Sequence, residues 1–173
     1  RIYAGYGHPY GNSSILPNVK QLFSGGISSV RGFSSRMIGP GTFNEKYVYG
    51  TNTYIEMLGD IKLEGNIEYR RQLYDFVHGA VFVDAGNVWL KNPNPKFPGG
   101  AFSAQFLNQL AVGAGLGLRL DFGVIMIRGD LGFPIRKPWL PAGNRWTFNQ
   151  IDFGSKSWRK ENIVFGFAIG YPF

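Results

Sequence analysis

The sequence predicts an all-β fold, an antiparallel transmembrane β-barrel to which these 173 residues contribute the last six strands. Three observations predict it. Apolar and polar residues alternate strictly over several stretches, the period of a strand with two unlike faces. Short and long connections alternate along the chain, as they do between the two ends of a membrane barrel. The charges of the alternating stretches all fall on the face opposite the apolar stripe.

The stretches follow in order. Residues 1–11 are aromatic and glycine-rich, with poor alternation. In residues 61–70, IKLEGNIEYR, one face carries Ile61, Leu63, Ile67 and Tyr69; the other carries Lys62, Glu64, Asn66, Glu68 and Arg70. Residues 78–89 put Val81, Val83 and Ala85 against His78, Phe82, Asp84 and Gly86. Residues 110–121 turn Val112, Ala114, Leu116, Leu118 and Leu120 outward, with Gly113, Gly115, Gly117, Arg119 and Asp121 inward. Residues 124–134 place Ile125, Ile127, Leu131 and Phe133 out, and Arg128, Asp130 and Gly132 in. The last stretch, NIVFGFAIGYPF, lines up Ile163, Phe165, Phe167, Ile169, Tyr171 and Phe173 opposite Val164, Gly166, Ala168, Gly170 and Pro172. Small residues opposite six large hydrophobes suit a barrel wall with a crowded interior.

The links at 72–76 and 121–123 are short, and those at 12–57, 90–109 and 136–162 are long. The strands come close to the roughly 9–11 residues that cross a tilted bilayer span. A charge turned to lipid costs about 2–4 kcal/mol at mid-bilayer for Arg or Lys, whereas a lumen charge is solvated or paired. Tyr69, Tyr74, Phe76, Phe122, Tyr171 and Phe173 gather at one rim, with Trp89 and Trp139 at the other, as interface girdles. A soluble β-sandwich is the competing reading of the alternation. Six strands leave open edges that lipid does not satisfy. The expectation is therefore the C-terminal part of a larger barrel, or a chain that pairs with another; Arg1 in place of Met points to a trimmed end.

Composition narrows the function. The chain has 25 Gly, 15 Phe, 9 Tyr and 4 Trp, a mixture that favours strands and tight turns. No Cys is present and His8 and His78 lack ligand spacing, which argues against a catalytic metal. A net charge of +7 favours anionic partners such as nucleic acid or a phosphate-bearing membrane surface. No run of eighteen apolar residues suggests a membrane helix. The Gly113, Gly115, Gly117 series is not a dinucleotide fingerprint, because the next required glycine is absent and no helix follows.

The stretch GGISSVRGFSSR, residues 25–36, holds one cation between Val30 and Phe33 and raises the question of its partner. GGISSVRGF resembles the loop signature of the BamA/TamA superfamily of outer-membrane assembly factors. GHPYGNSSILPNVKQLFSGG and RMIGPGTF look like its TamA-like branch, including the lipoprotein variant TamL. GNIEYR, FVDAGNVW, GAGLGLRLDFG, IRGDLGFPIRKP and the terminal Phe173 follow in the family's order, so the resemblance runs through almost the whole chain.

The resemblance implies one barrel domain over residues 1–173 within a larger barrel of sixteen strands, with N-terminal strands and POTRA repeats elsewhere. It implies that the long loop 12–57 folds back into the lumen and docks its tip, Val30, Arg31, Gly32 and Phe33, on the inner wall. There the Arg meets acids. The alternation independently puts Glu68 and Asp84 in the lumen, with Phe82 available to pack beside Phe33. Gly32 allows close approach. Arg119, Asp121, Arg128 and Asp130 read as a salt-bridge network of the wall. Phe167, Gly170, Tyr171 and Phe173 read as the terminal assembly signal, on a strand that in assembly factors also forms a loosely paired lateral seam. Ala168 stands where the usual glycine of that signal lies. An ordinary barrel-closing strand reads the same.

The function implied is a non-enzymatic, cofactor-free outer-membrane assembly factor of a Gram-negative bacterium, templating client strands at the seam by β-augmentation. Its expected partners are outer-membrane lipids and lipopolysaccharide, nascent barrel proteins, the rest of the barrel or a partner chain, and accessory assembly subunits, with no nucleic acid. The alternatives are a two-partner-type secretion pore, which shares the Arg-loop signature, and a passive porin.

Overall fold

In the computed structural model, residues 1–12, 16–45, 48, 50 and 56–170 are described. Their strands form one antiparallel six-stranded sheet in simple sequence order. The strands are β1 (Ile2–Tyr6), β2 (Ile61–Tyr74), β3 (Val77–Trp89), β4 (Ala111–Asp121), β5 (Met126–Arg136) and β6 (Val164–Ile169). A two-turn helix, α1 (Lys156–Asn162), precedes β6, with the Ser155 hydroxyl accepting from the Trp158 amide as its cap.

The alternation read from the sequence is the alternation of burial. Glu64, Asn66, Phe82, Asp84, Arg119, Arg128 and Asp130 are buried on one face. The other face exposes Ile67 at 76%, Phe165 at 71% and Ile169 at 72%. A continuous apolar surface of this kind is stable against lipid rather than water. Among the described residues no helix is long and apolar enough to cross a membrane, which says nothing of crossing by strands.

The elements differ from the sequence reading at their ends. The first strand covers five residues, not 1–11: the bond from the Gly7 amide to the Asp60 carbonyl is the last in line with its ladder, and beyond it Pro9 has no amide to donate and Gly11 turns at φ +68°. β2 runs past Arg70 to Tyr74, and β5 is shifted two residues towards Arg136. Of the expected 162–173, β6 covers Val164–Ile169 among the described residues: Asn162 ends the preceding helix, Gly170 at φ +105° follows Ile169, and Tyr171, Pro172 and Phe173 lie outside the described residues. Only Gly132 and the residues before it pair with β6. Beyond that, the outer edge of β5 bonds to its own following loop, where the Thr147 amide donates to the Ile135 carbonyl and Arg136 bridges Trp146.

Two aromatics expected at a rim are not there. Trp89 is fully buried under Phe102 and Phe106, and its Nε1 donates to Gln109 at 2.5 Å. Trp139 folds inward against Phe33. Both lie in or beside long connections that fold back onto the sheet and supply apolar partners. At the opposite rim Phe76 and Phe122 stack with centroids 5.1 Å apart, next to exposed Tyr69 and Tyr74.

Candidate functional site

Between β1 and β2 the chain builds a hairpin and lays it on the inner face. Its base is fixed by the bridges Leu22 to Gly59 and Ser24 to Ile38. Further in, the Gly26 amide donates to the Phe33 carbonyl at 2.9 Å and the Ser29 amide to the Gly26 carbonyl at 3.1 Å. Gly25 and Gly26 sit at φ +96° and +98°, a region open to glycine at little cost. The tight turn they allow puts Val30, Arg31, Gly32 and Phe33 at the end of the hairpin, against the wall.

Arg31 is 3% exposed, and each of its three side-chain nitrogens donates to a strand carboxylate. Its Nε and Nη2 fork onto Asp84 at 2.7 and 2.9 Å, its own amide donates to Asp84 Oδ2 at 3.0 Å, and Nη1 donates to Glu68. Two parallel charge-assisted bonds fix the plane of the guanidinium. That plane lies over the Phe82 ring, with Cζ 3.6 Å from its centroid, so a cation–π contact covers one face. Burial, the largest single influence, acts to lower the Arg31 pKa; Asp84 and then Glu68 outweigh it and hold the guanidinium above its ordinary value. The tip is thus a permanently charged plug in a site of opposite charge.

The wall supplies a network around it. Glu68 also accepts from Arg70 Nε at 2.6 Å and Arg119 Nη2 at 3.0 Å. Arg119 Nη2 lies 2.6 Å from Asp130 Oδ1, and Arg128 Nη1 lies 3.7 Å from Asp130 Oδ2. Arg128 Nη2 donates to Ser28 Oγ on the hairpin at 3.0 Å, so this network holds the loop as well as the wall. Asp121 is not part of it. It ends β4, and its carboxylate turns to accept from the Gly123 amide at 2.9 Å within the turn. Phe33 does not pack beside Phe82: it meets Trp139 edge-on at 6.0 Å and joins Val30, Ile38 and Ala111, because Arg31 already occupies the Phe82 face.

The floor beneath the tip is glycine. A Cβ on Gly32 would lie 2.6 Å from the Phe133 carbonyl oxygen and 2.8 Å from Gly113 Cα. One on Gly132 would lie 2.6 Å from the Arg31 carbonyl oxygen, and one on Gly115 would reach 2.5 Å from Phe82 Cζ. Register places Glu68 opposite Phe82, Phe82 opposite Gly115 and Gly115 opposite Gly132, a single row across four strands. The alternation in the sequence turns Gly113, Gly115 and Gly132 inward, and this shared parity on neighbouring strands is the signal for the floor; it does not by itself connect them with the tip.

Of the terminal-strand residues, Phe167 and Gly170 are described and lie apart from this cluster, and Tyr171 and Phe173 lie outside the described residues. Phe167 is exposed on the outer face, and the Gly170 amide donates to the Met126 carbonyl at 2.7 Å. The hairpin nevertheless reaches β6, since a Cβ on Gly166 would lie 2.5 Å from Ile27 Cγ2. Among the described residues no group of three or more His, Cys, Asp or Glu is arranged to hold a metal.

Comparison with known proteins gives the family of the chain. The family model described as the Omp85 superfamily domain matches residues 1–171. The chain is also similar to the outer membrane protein assembly factor BamA of Neisseria meningitidis serogroup B (strain ATCC BAA-335 / MC58), 31% identical over 85 residues. That match covers 46% of this chain and 10% of the length of the relative.

Proposed function

Because the chain belongs to the Omp85 superfamily and is a Gram-negative outer-membrane protein, we propose that it acts in outer-membrane protein assembly without catalysing a covalent reaction. In this reading it is the C-terminal barrel portion of a TamA-like or TamL-like factor whose sixteen-stranded barrel is completed by N-terminal strands. Nascent barrel proteins are its clients. The docked Arg31 tip carries the reading: a loop held inside the lumen braces the wall beside β6 while leaving the strand's outer edge for a client to add to by β-augmentation. At the start of β6 the pairing with β5 stops at Val164 and Gly132, among the described residues, which supports a loosely paired last strand.

Lipid and accessory partners belong to the same reading. In the loop of residues 137–163, Arg145 donates to the Leu140 and Asn108 carbonyls, and Arg159 to those of Phe153 and Gly154. Lys156 and Lys160 are exposed and suit lipopolysaccharide phosphates. Accessory assembly subunits would bind elsewhere on the full-length protein.

The test is reconstitution of the full-length protein in vesicles with an unfolded barrel client. Wild type is expected to speed client folding, and Arg31→Ala to lose most of that acceleration with its own barrel still folded. Vesicles that export a soluble substrate and leave the client unfolded would indicate a secretion pore instead. Ion conductance with neither activity would indicate a porin.

A further inference from the structure

We propose that Glu64 is a second latch on the hairpin, holding its base and its tip together and, with Asn66, setting the carboxylate that receives Arg31. The inference stands on the docked geometry and not on the assembly role. The Glu64 side chain has no solvent exposure. Its Oε1 accepts from Ser24 Oγ at 2.8 Å and from Ser29 Oγ, and Lys62 Nζ lies 3.1 Å from the same oxygen. Ser24 is at the base of the hairpin, bridged to Ile38. Ser29 begins the tip, and its hydroxyl also accepts from the Gly25 amide at 2.9 Å.

A carboxylate buried this deeply is costly unless donors match it. Two of its three donors come from the loop, so undocking leaves Glu64 with Lys62 alone. Lys62 touches the hairpin as well as β1: its Nζ lies 5.5 Å from the ring centroid of Phe23 on the hairpin and 5.1 Å from that of Tyr3 on β1. Room for the latch comes from Gly86, the cross-strand partner of Glu64, where a Cβ would lie 2.7 Å from Glu64 Cγ and 3.0 Å from Val30 Cγ2.

The link to Arg31 runs through the next inward residue of β2. Asn66 Nδ2 donates to the Ser29 carbonyl at 2.7 Å and to Asp84 Oδ1 at 3.0 Å, the oxygen that accepts Arg31 Nη2. Ser29 is therefore held by Glu64 through its hydroxyl and by Asn66 through its carbonyl. Glu64, Asn66 and Glu68 engage the hairpin in sequence, from base to tip. Glu64 and Asn66 are positioning residues; Glu68 and Asp84 receive the charge.

Trypsin reads the latch directly, because cleavage after Arg31 requires undocking. In the full-length protein, Glu64→Gln is expected to raise the cleavage rate at Arg31 about tenfold, the loss of one charge-assisted hydrogen bond, with the folded, heat-modifiable band retained. Ser24→Ala with Ser29→Ala is expected to do the same from the loop side, and to add little in the Glu64→Gln background. Ser29→Thr keeps the hydroxyl and is expected to stay at the wild-type rate. Should Glu64→Gln fail to fold, the double serine variant decides. Cleavage unchanged in either variant, or effects of the two that multiply independently, would overturn the latch.

Discussion

Each of the two carboxylates around Arg31 is held differently, and the difference predicts how they respond to mutation. Asp84 accepts from Arg31 and Asn66, whereas Glu68 keeps Arg70 and Arg119 when Arg31 is lost. Arg31→Ala breaks a buried pair, and a cost of about 3–5 kcal/mol is expected. A double-mutant cycle, read by thermal loss of the folded band, is expected to give a larger coupling for Arg31 with Asp84 than with Glu68. No coupling to either would mean that the guanidinium acts elsewhere. Arg31→Lys is expected to recover only part of the loss, since an ammonium lacks the planar fork. Gly32→Ala tests the approach rather than the charge. Its Cβ meets backbone atoms of Phe133 and Gly113, which cannot swing aside as a side chain does. The tip is expected to undock with Arg31 intact, seen as trypsin cleavage after Arg31; a fully protected Gly32→Ala protein would mean that the wall yields.

A strand's two faces make separate predictions. The chain has no Cys, so a single introduced thiol reports one position. Ile67→Cys on β2 and Phe167→Cys on β6 lie on the outer face, 76% and 59% exposed in the isolated chain. In membranes they are expected to resist a water-soluble, impermeant maleimide, while Asn144→Cys in the loop after β5 reacts quickly. Equal labelling at all three positions would mean that the apolar face does not meet lipid. The strand ends were harder to read than the strand centres. Residues 70–74 lose alternation, yet β2 continues through them because β3 pairs with it as far as the tight turn at Asp75.

The molecule as a whole has two unlike rims, and orientation follows from them. Asp75–Phe76 and residues 122–125 make short links at one end, and residues 7–60, 90–110 and 137–163 make long ones at the other. Long loops face outward in membrane barrels of this kind. Trypsin added to intact cells is expected to cut within residues 137–163, where Lys156 and Lys160 are exposed, and to spare Arg70 and Arg71 beside the short turn. The opposite pattern would reverse the orientation.

Sequence alone determined the face of each strand residue, since a side-chain period of two separates lumen from lipid whatever the neighbours are. It thereby put Glu68, Asp84, Arg119, Arg128 and Asp130 on one wall, and the resemblance supplied Arg31 as the group to meet them. What it did not contain was height. Parity tells which way a residue points, and only the register between strands tells which residues share a row. Register set Glu68 beside Phe82 and Asn66 beside Asp84, and lined up Gly115 with Gly132 to make the floor. It also gave Glu64, one inward residue among several in the sequence, the Ser24 and Ser29 hydroxyls of a loop some forty residues earlier. Such contacts depend on hydrogen bonds between distant segments, and on which ring reaches a face first. That competition gave Phe82 to Arg31, sent Phe33 to Trp139, and was decided by the tertiary structure alone.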